Sequence, residues 1–343
     1  MSNLDFHSTQ PRKVCFDGFN ISCPITIRPM LINISMYTII CGAILLTIVG
    51  NIMVIISVSH FRKLHTPTNF LILSLATADF LLGLTVMPYS MVRSITACWF
   101  YGDLFCRLHS CIDMTLCTSS IFHLFFIAVD RYFAICHPLH YSRKITIPVI
   151  EVYIFVSWSI PCLYAFGLVL SNVNIAGLED QEILVPCIGS CSLVFNKISS
   201  IITSLICFFI PGTLMIGIYI HIFSVARKQV KLINNIPNQR KNNKKKVFVN
   251  AENKAARTLS LVMGVFILCW LPFFVLTVAD PYLNFSISDD IYNTVLWLGY
   301  FNSACNPIIY GLFYPWFKKS FVLILTGKIW QSGSASSNIL NDM

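Results

Sequence analysis

Charge is what this sequence has least of. Of its 343 residues 39 are Asp, Glu, Lys or Arg, or 11%, where a soluble domain carries about 25%. Acids are the scarcer sign, 15 against 24 cations, for a net charge of +9. With 56% hydrophobic residues and 27 Phe, the apolar side chains outnumber what one soluble core could hide, which excludes an ordinary cytosolic globular protein. Strand-like alternation is absent, so a lipid-spanning sheet is not expected. The first 33 residues include Pro11, Arg12, Lys13 and Pro24 and lack the apolar core of a cleavable signal peptide, so the first apolar run is expected to act as an uncleaved anchor. No internal repeat, broken helix or set of midplane charges suggests a transporter. Clustered nucleophile, base or metal ligands are missing too. His123, the only His deep in a span, stands alone, and lone histidines are more often packed than catalytic. No enzyme activity and no cofactor are expected.

What is present is apolar sequence in blocks. Seven stretches, roughly 34–59, 69–93, 104–136, 148–170, 194–224, 254–279 and 289–313, each suit the ~20-residue helix that crosses a bilayer. They predict an all-α membrane protein, a seven-helix bundle, with an amino-terminal segment over 1–33, a helical domain over 34–313 and a tail over 314–343. Eighteen of the 24 cations fall on one side, among them Arg62, Lys63, Arg143, Lys144 and the run from Arg240 to Lys246. The positive-inside rule makes that side cytoplasmic and the amino terminus extracellular. Beside membrane spans the basic run suits anionic lipid or an acidic cytosolic partner, and no nucleic acid is expected.

Of fourteen cysteines, Cys41, Cys111, Cys117, Cys136, Cys162, Cys207, Cys269 and Cys305 fall in spans, as small apolar fillers. Cys15, Cys23, Cys98, Cys106, Cys187 and Cys191 all map to the outer side, where an oxidising medium allows pairing. Cys106 tops the third span, and a bridge from it to either Cys187 or Cys191 would drape the intervening loop over the cleft mouth. Spacing alone does not choose between them. The sequon at Asn20 lies on the same side, as does that at Asn284.

Ionised residues inside a span are costly and therefore functional candidates. Two stand out, Asp79 and Asp113. Asp113 lies about two turns inward from Cys106, and Arg131 about five turns further on, so Asp113 and Arg131 share one helix face at opposite ends. No Lys or Arg in the spans is an obvious partner for Asp113. A structural pairing with a neighbouring helix is the plain alternative, but an unpaired carboxylate in an apolar cleft wants a cation.

Over almost the whole chain these residues resemble the rhodopsin-like class of seven-helix receptors that signal through G proteins. The match runs through Gly50-Asn51, Leu75-Ala76-Thr77-Ala78-Asp79, Asp130-Arg131-Tyr132, Trp158, Pro211, Phe266 with Cys269-Trp270-Leu271-Pro272, and Asn306-Pro307-Ile308-Ile309-Tyr310. The longer string Asn302-Ser303-Ala304-Cys305-Asn306-Pro307-Ile308-Ile309-Tyr310-Gly311-Leu312-Phe313-Tyr314-Pro315-Trp316-Phe317 is similar to the signature of trace amine-associated receptors. The tail after Phe317 has no Cys, so a short amphipathic cytoplasmic eighth helix at about 315–325 is expected to hold by its apolar face alone.

The resemblance implies that Asp113 holds a ligand ammonium, and an ammonium gains from aromatic faces as well as a carboxylate. Trp297 and Tyr300 are three apart on one face, and Tyr300 could donate to Asp113. Trp270, Phe273 and Phe274 form an i, i+3, i+4 stripe, for which plain helix packing is the alternative. Thr203, Ser204 and Cys207 stand where catecholamine receptors commonly carry serines, and their thinner polarity favours a small amine with an apolar body. By the same resemblance Asp79, Ser120, Asn302 and Ser303 would hold an allosteric sodium ion, oxygen ligands suiting a hard cation. The activation switch would comprise Asp130, Arg131, Tyr132, Tyr219, Asn306, Pro307 and Tyr310. Arg131 would be latched by Asp130 and Glu252, and Ile121, Pro211 and Phe266 would relay the movement. The outer bridges implied are Cys106 to Cys191 and Cys23 to Cys187, with Cys15 and Cys98 left open. The partners implied are a small, volatile or trace amine, membrane lipid and a stimulatory G protein that raises cyclic AMP, at the plasma membrane and in olfactory cilia. A serotonin-like neurotransmitter receptor is the alternative.

Overall fold

The computed structural model describes residues 13–19, 21–178, 187–234, 243–313, 315–331 and 334–336, with the backbone alone over 229–260 and at 315. Asn20 and the side chain of Glu252 thus lie outside the described residues. The helices are α1 (Met30–His60), α2 (Pro67–Thr85), α3 (Met87–Thr96), α4 (Asp103–Cys136), α5 (Pro138–Lys144), α6 (Ile147–Leu170), α7 (Lys197–Ser204), α8 (Ile210–Asn234), α9 (Asn243–Ala279), α10 (Asp289–Phe313) and α11 (Pro315–Leu325). Among the described residues β-pairing is confined to two isolated bridges, Val14 with Pro24 and Ser22 with Ile188. Helices satisfy their own backbone, as hydrocarbon requires.

Proline divides two of the expected spans. Pro88 has no N–H to continue the ladder, and the second apolar run becomes α2 and α3, parted at Val86. The fifth widens into a π-turn over Leu205–Phe209 just before Pro211. That run starts later than its apolar stretch, at Lys197, because the Asn196 side chain accepts from Ser199 N at 2.8 Å and caps the helix. At the other extreme α9 begins at Asn243, well before its apolar stretch, through Lys, Glu and Ala residues that favour helix in water.

Among the described residues six helical runs are long and apolar enough to cross a membrane, and α10 joins them only when counted with α11, from which it turns by 104°. Its shortfall has a physical source: α10 devotes Asn302, Ser303 and Asn306 to the buried interior. The centre of the bundle is α4, with 61% of its apolar window buried against 28% in α1 and 22% in α6. Small side chains make that possible, Cys111, Cys117, Thr118, Ser119 and Ser120 all being buried along it. Large apolar side chains such as Ile39 and Leu45 of α1 or Phe155 and Leu163 of α6 point outward, toward the lipid. The eighth helix is α11. Phe317 is fully buried and stacks on Tyr310 at 5.7 Å, whereas Val322 and Leu325 are exposed.

One close approach sets how α1 meets α10. A Cβ at Gly50 would stand 2.6 Å from Pro307 Cγ and 3.0 Å from its Cβ, and a proline ring cannot swing aside. Gly50→Ala should therefore cost about 1–3 kcal/mol through overpacking, read as a lower Tm of the detergent-solubilised protein. Gly42→Ala, in the same helix with nothing within 4 Å, should leave Tm unchanged; equal effects of the two would count against this contact.

Candidate functional site

Asp113 sits half-buried on α4, and its carboxylate is held from α10: the Tyr300 hydroxyl donates to Oδ2 at 2.6 Å, and the Cys117 thiol approaches Oδ1 at 3.3 Å. No cation among the described residues forms an ion pair with it. The Trp270 ring lies 5.9 Å from both Phe273 and Phe274, and Trp297 stands edge-on to Tyr300 at 5.3 Å. The indole fits because residue 299 is Gly; a Cβ there would come within 2.7 Å of the Trp270 ring. Thr203 is already engaged, its hydroxyl 2.8 Å from that of Tyr164, while the buried Ser204 hydroxyl and Trp270 Nε1 have no protein partner.

Three residues here escape the sequence reading. His109, one turn above Asp113, is as deeply buried as His123. Its Nε2 lies 3.2 Å from the Val86 carbonyl and so carries the proton, and its Nδ1 has no partner. Ser90 lies 3.3 Å from the Tyr300 hydroxyl and 3.4 Å from His109. Arg93 ends the same short helix, one N–H bonded to the Cys191 carbonyl at 3.3 Å. The available signal was the i, i+3, i+4 spacing of Ser90, Arg93 and Ser94 after Pro88, at the very end of an apolar run. His123, by contrast, is a satisfied core histidine, 2.7 Å from both the Ser74 hydroxyl and the Ser119 carbonyl.

Deeper in the bundle Asp79 is fully buried. Ser120 and Ser303 donate to its Oδ1 at 2.9 and 2.7 Å, and Asn306 donates to Oδ2 at 2.7 Å. The cluster also includes a residue outside the expected set. Asn306, one helical turn beyond Ser303, faces Asp79, whereas Asn302 is buried with neither amide atom bonded to protein.

At the far end of α4 a second knot forms around Asp130. Tyr141 donates to Oδ1 at 2.8 Å, and Thr68 and Arg131 Nε donate to Oδ2, each at 2.8 Å; Arg131 also reaches Thr68. Burial, and then the Asp130 charge, push the Tyr141 phenol up, so it remains a donor. Beside the knot Arg131, Tyr219, Phe266 and Tyr310 line a cavity of about 20 Å³, room for roughly one water. Tyr132 turns away, its ring 5.5 Å from that of His221. Ile121 and Phe266 belong to the main apolar core, Phe266 lying 5.5 Å from Phe208; Pro211 stands at the start of α8, and Pro307 lies inside α10.

The end nearest Asp113 is closed by three disulfides, Cys106–Cys191, Cys23–Cys187 and Cys15–Cys98. Backbone bonds reinforce them: Cys15 N to Cys23 O at 2.8 Å, Ile188 N to Ile21 O at 2.7 Å and Trp99 N to Gly189 O at 2.8 Å. Gly189 has φ +99° and would place a Cβ 2.9 Å from that of Cys15, so only glycine fits. Cys15 and Cys98, left open by the sequence, are thus paired with each other. Alkylation of the denatured, unreduced protein should mark the eight unpaired cysteines, and Cys15→Ser should add Cys98 alone. Labelling of Cys98 in the wild type would disprove the bridge.

A family model described as the 7 transmembrane receptor (rhodopsin family) matches residues 50–310. Trace amine-associated receptor 4 of Rattus norvegicus is 53% identical over 342 residues, 99% of each chain. Trace amine-associated receptor 2 of Homo sapiens is 48% identical over 330 residues, 95% of this chain and 93% of its own length. Trace amine-associated receptor 13c of Danio rerio is 46% identical over 340 residues, 98% and 99% respectively. The chain belongs to the trace amine-associated receptors, a family of rhodopsin-type seven-helix receptors and not of enzymes.

Proposed function

We propose that this receptor binds a small, primary amine whose ammonium rests on Asp113, and that binding opens the opposite end of the bundle to a heterotrimeric G protein. The reading is carried by one observation: a half-buried carboxylate, held by the Tyr300 hydroxyl at 2.6 Å, with no cation of its own among the described residues. Trp270, Phe273, Phe274 and Trp297 supply ring faces that attract a cation, and the names of the relatives agree. The side carrying Arg131 and eighteen of the 24 cations is the cytoplasmic one by the positive-inside rule. The amino-terminal segment, with Asn20 as its glycosylation candidate, is then extracellular, and the tail after residue 313 is cytoplasmic. A cavity of about 20 Å³ beside Arg131 has room for roughly one water, which supports reading this form as the resting one, from which agonist would shift the population toward an open form. A stimulatory G protein, rising cyclic AMP, and olfactory cilia follow from the family resemblance.

A sodium ion suits the Asp79 cluster. Asp79, Ser120 and Ser303 offer hard oxygens, and Asn302 Oδ1 is a buried acceptor without a protein partner.

Two measurements test this reading. Asp113→Asn should shift the concentration–response curve of cyclic AMP to simple amines by at least about 100-fold at matched surface expression, the cost of removing one partner of a desolvated pair; an unchanged curve would sink the assignment. Asp79→Asn should make agonist affinity insensitive to sodium, and full retained sensitivity would return Asp79 to a structural role.

A further inference from the structure

The Asp113 site carries a second charge that a simple amine leaves unanswered. Arg93 lies one turn beyond Ser90 on α3, and Ser90 meets the Tyr300 hydroxyl that donates to Asp113. Ser94, on the same turn, accepts the Trp297 indole N–H at 3.0 Å and donates to Asn293 at 3.1 Å. The stripe of residues 90, 93 and 94 is therefore the stripe that faces α10 and the site. The guanidinium is partly buried. Of its five N–H donors one is taken among the described residues, by the Cys191 carbonyl. No carboxylate among the described residues pairs with it. Asp290, at the start of α10, is taken by Arg28, whose other nitrogen holds the Ile95 carbonyl two residues along from Arg93.

We infer that Arg93 is an anion-binding element of the amine site and that the preferred ligand is zwitterionic, its ammonium on Asp113 and a carboxylate at its other end on Arg93. The inference rests on the amine reading above and narrows its ligand class. A monocation bound at Asp113 leaves the guanidinium uncompensated beside it, whereas a zwitterion answers both charges. The planar fork of Arg also matches a carboxylate with two parallel N–H bonds. Three residues of helix raise Arg93 about 4.5 Å above Ser90, which meets the Tyr300 hydroxyl, so the two charges are offset along the helix and the ligand needs its charged ends separated by a chain of methylenes.

The test uses the purified full-length receptor and its thermal stabilisation by δ-aminovalerate, by the methyl ester of that acid and by pentylamine. The acid should bind about 10-fold or more tightly than the ester, the range of a charge-assisted hydrogen bond. Arg93→Gln should abolish the preference, and Arg93→Lys, which keeps the charge and loses the fork, should retain part of it. Equal or weaker binding of the acid than of the ester, including none, would overturn the inference. So would an Arg93→Gln variant that weakens all three compounds alike, because Arg93 would then serve only to hold the loop at Cys191. Asp113→Asn separates the two levels of argument. Loss of pentylamine binding in that variant keeps the amine reading whatever Arg93 does, and retained binding removes that reading and this one together.

Discussion

In a bundle surrounded by hydrocarbon a buried carboxylate has no water to answer it, and three aspartates here find their donors across helix boundaries. Asp79 of α2 is held by Ser120 of α4 and by Ser303 and Asn306 of α10. Asp113 of α4 is held by Tyr300 of α10. Asp130, also of α4, gathers Thr68 of α2, Tyr141 of α5 and its neighbour Arg131. Apolar side chains cannot choose among lipid and protein neighbours, because both are equally oily. The register of α2, α4 and α10 therefore depends on these polar ties, and the small residues along α4 let the three helices come close enough to make them.

The same arrangement explains how a ligand at one end could be felt at the other. Tyr300, which holds Asp113, lies three residues before Ser303, which holds Asp79, and Asn306 and Pro307 follow within the next turn. Asn51 of α1 donates to the Ser303 carbonyl at 3.1 Å, so α1 is bound to that same turn. A displacement of Tyr300 by a ligand would be carried along one rigid helix into the buried cluster. Trp270 provides a parallel route, since its ring fills the space left by Gly299 on α10 and sits in the core that includes Phe266, whose ring lines the cavity at Arg131.

The outer cap is constrained in a different way. Three disulfides and a short ladder of backbone bonds fasten residues 15–23 to the loops at 97–102 and 187–191. The end of the bundle nearest Asp113 is thus held covalently, whereas the opposite end relies on the hydrogen bonds of Asp130 and Arg131.

Much of this was legible in residue order alone. Apolar runs announced the helices, and Asp79, Asp113 and Arg131 announced themselves as charges in apolar surroundings, because hydropathy and charge are properties of single residues and short windows. The partners were less legible. The donation of Asn306 to Asp79, Cys98 as the mate of Cys15, and the placing of His109 and Arg93 around the Tyr300–Asp113 pair all depend on the rotation and approach of helices far apart in sequence. Those quantities are decided by Gly50 against Pro307, Gly299 against Trp270, and the breaks at Pro88 and Pro211. A contact between distant segments has no local signature, so only the assembled bundle could say which polar group meets which.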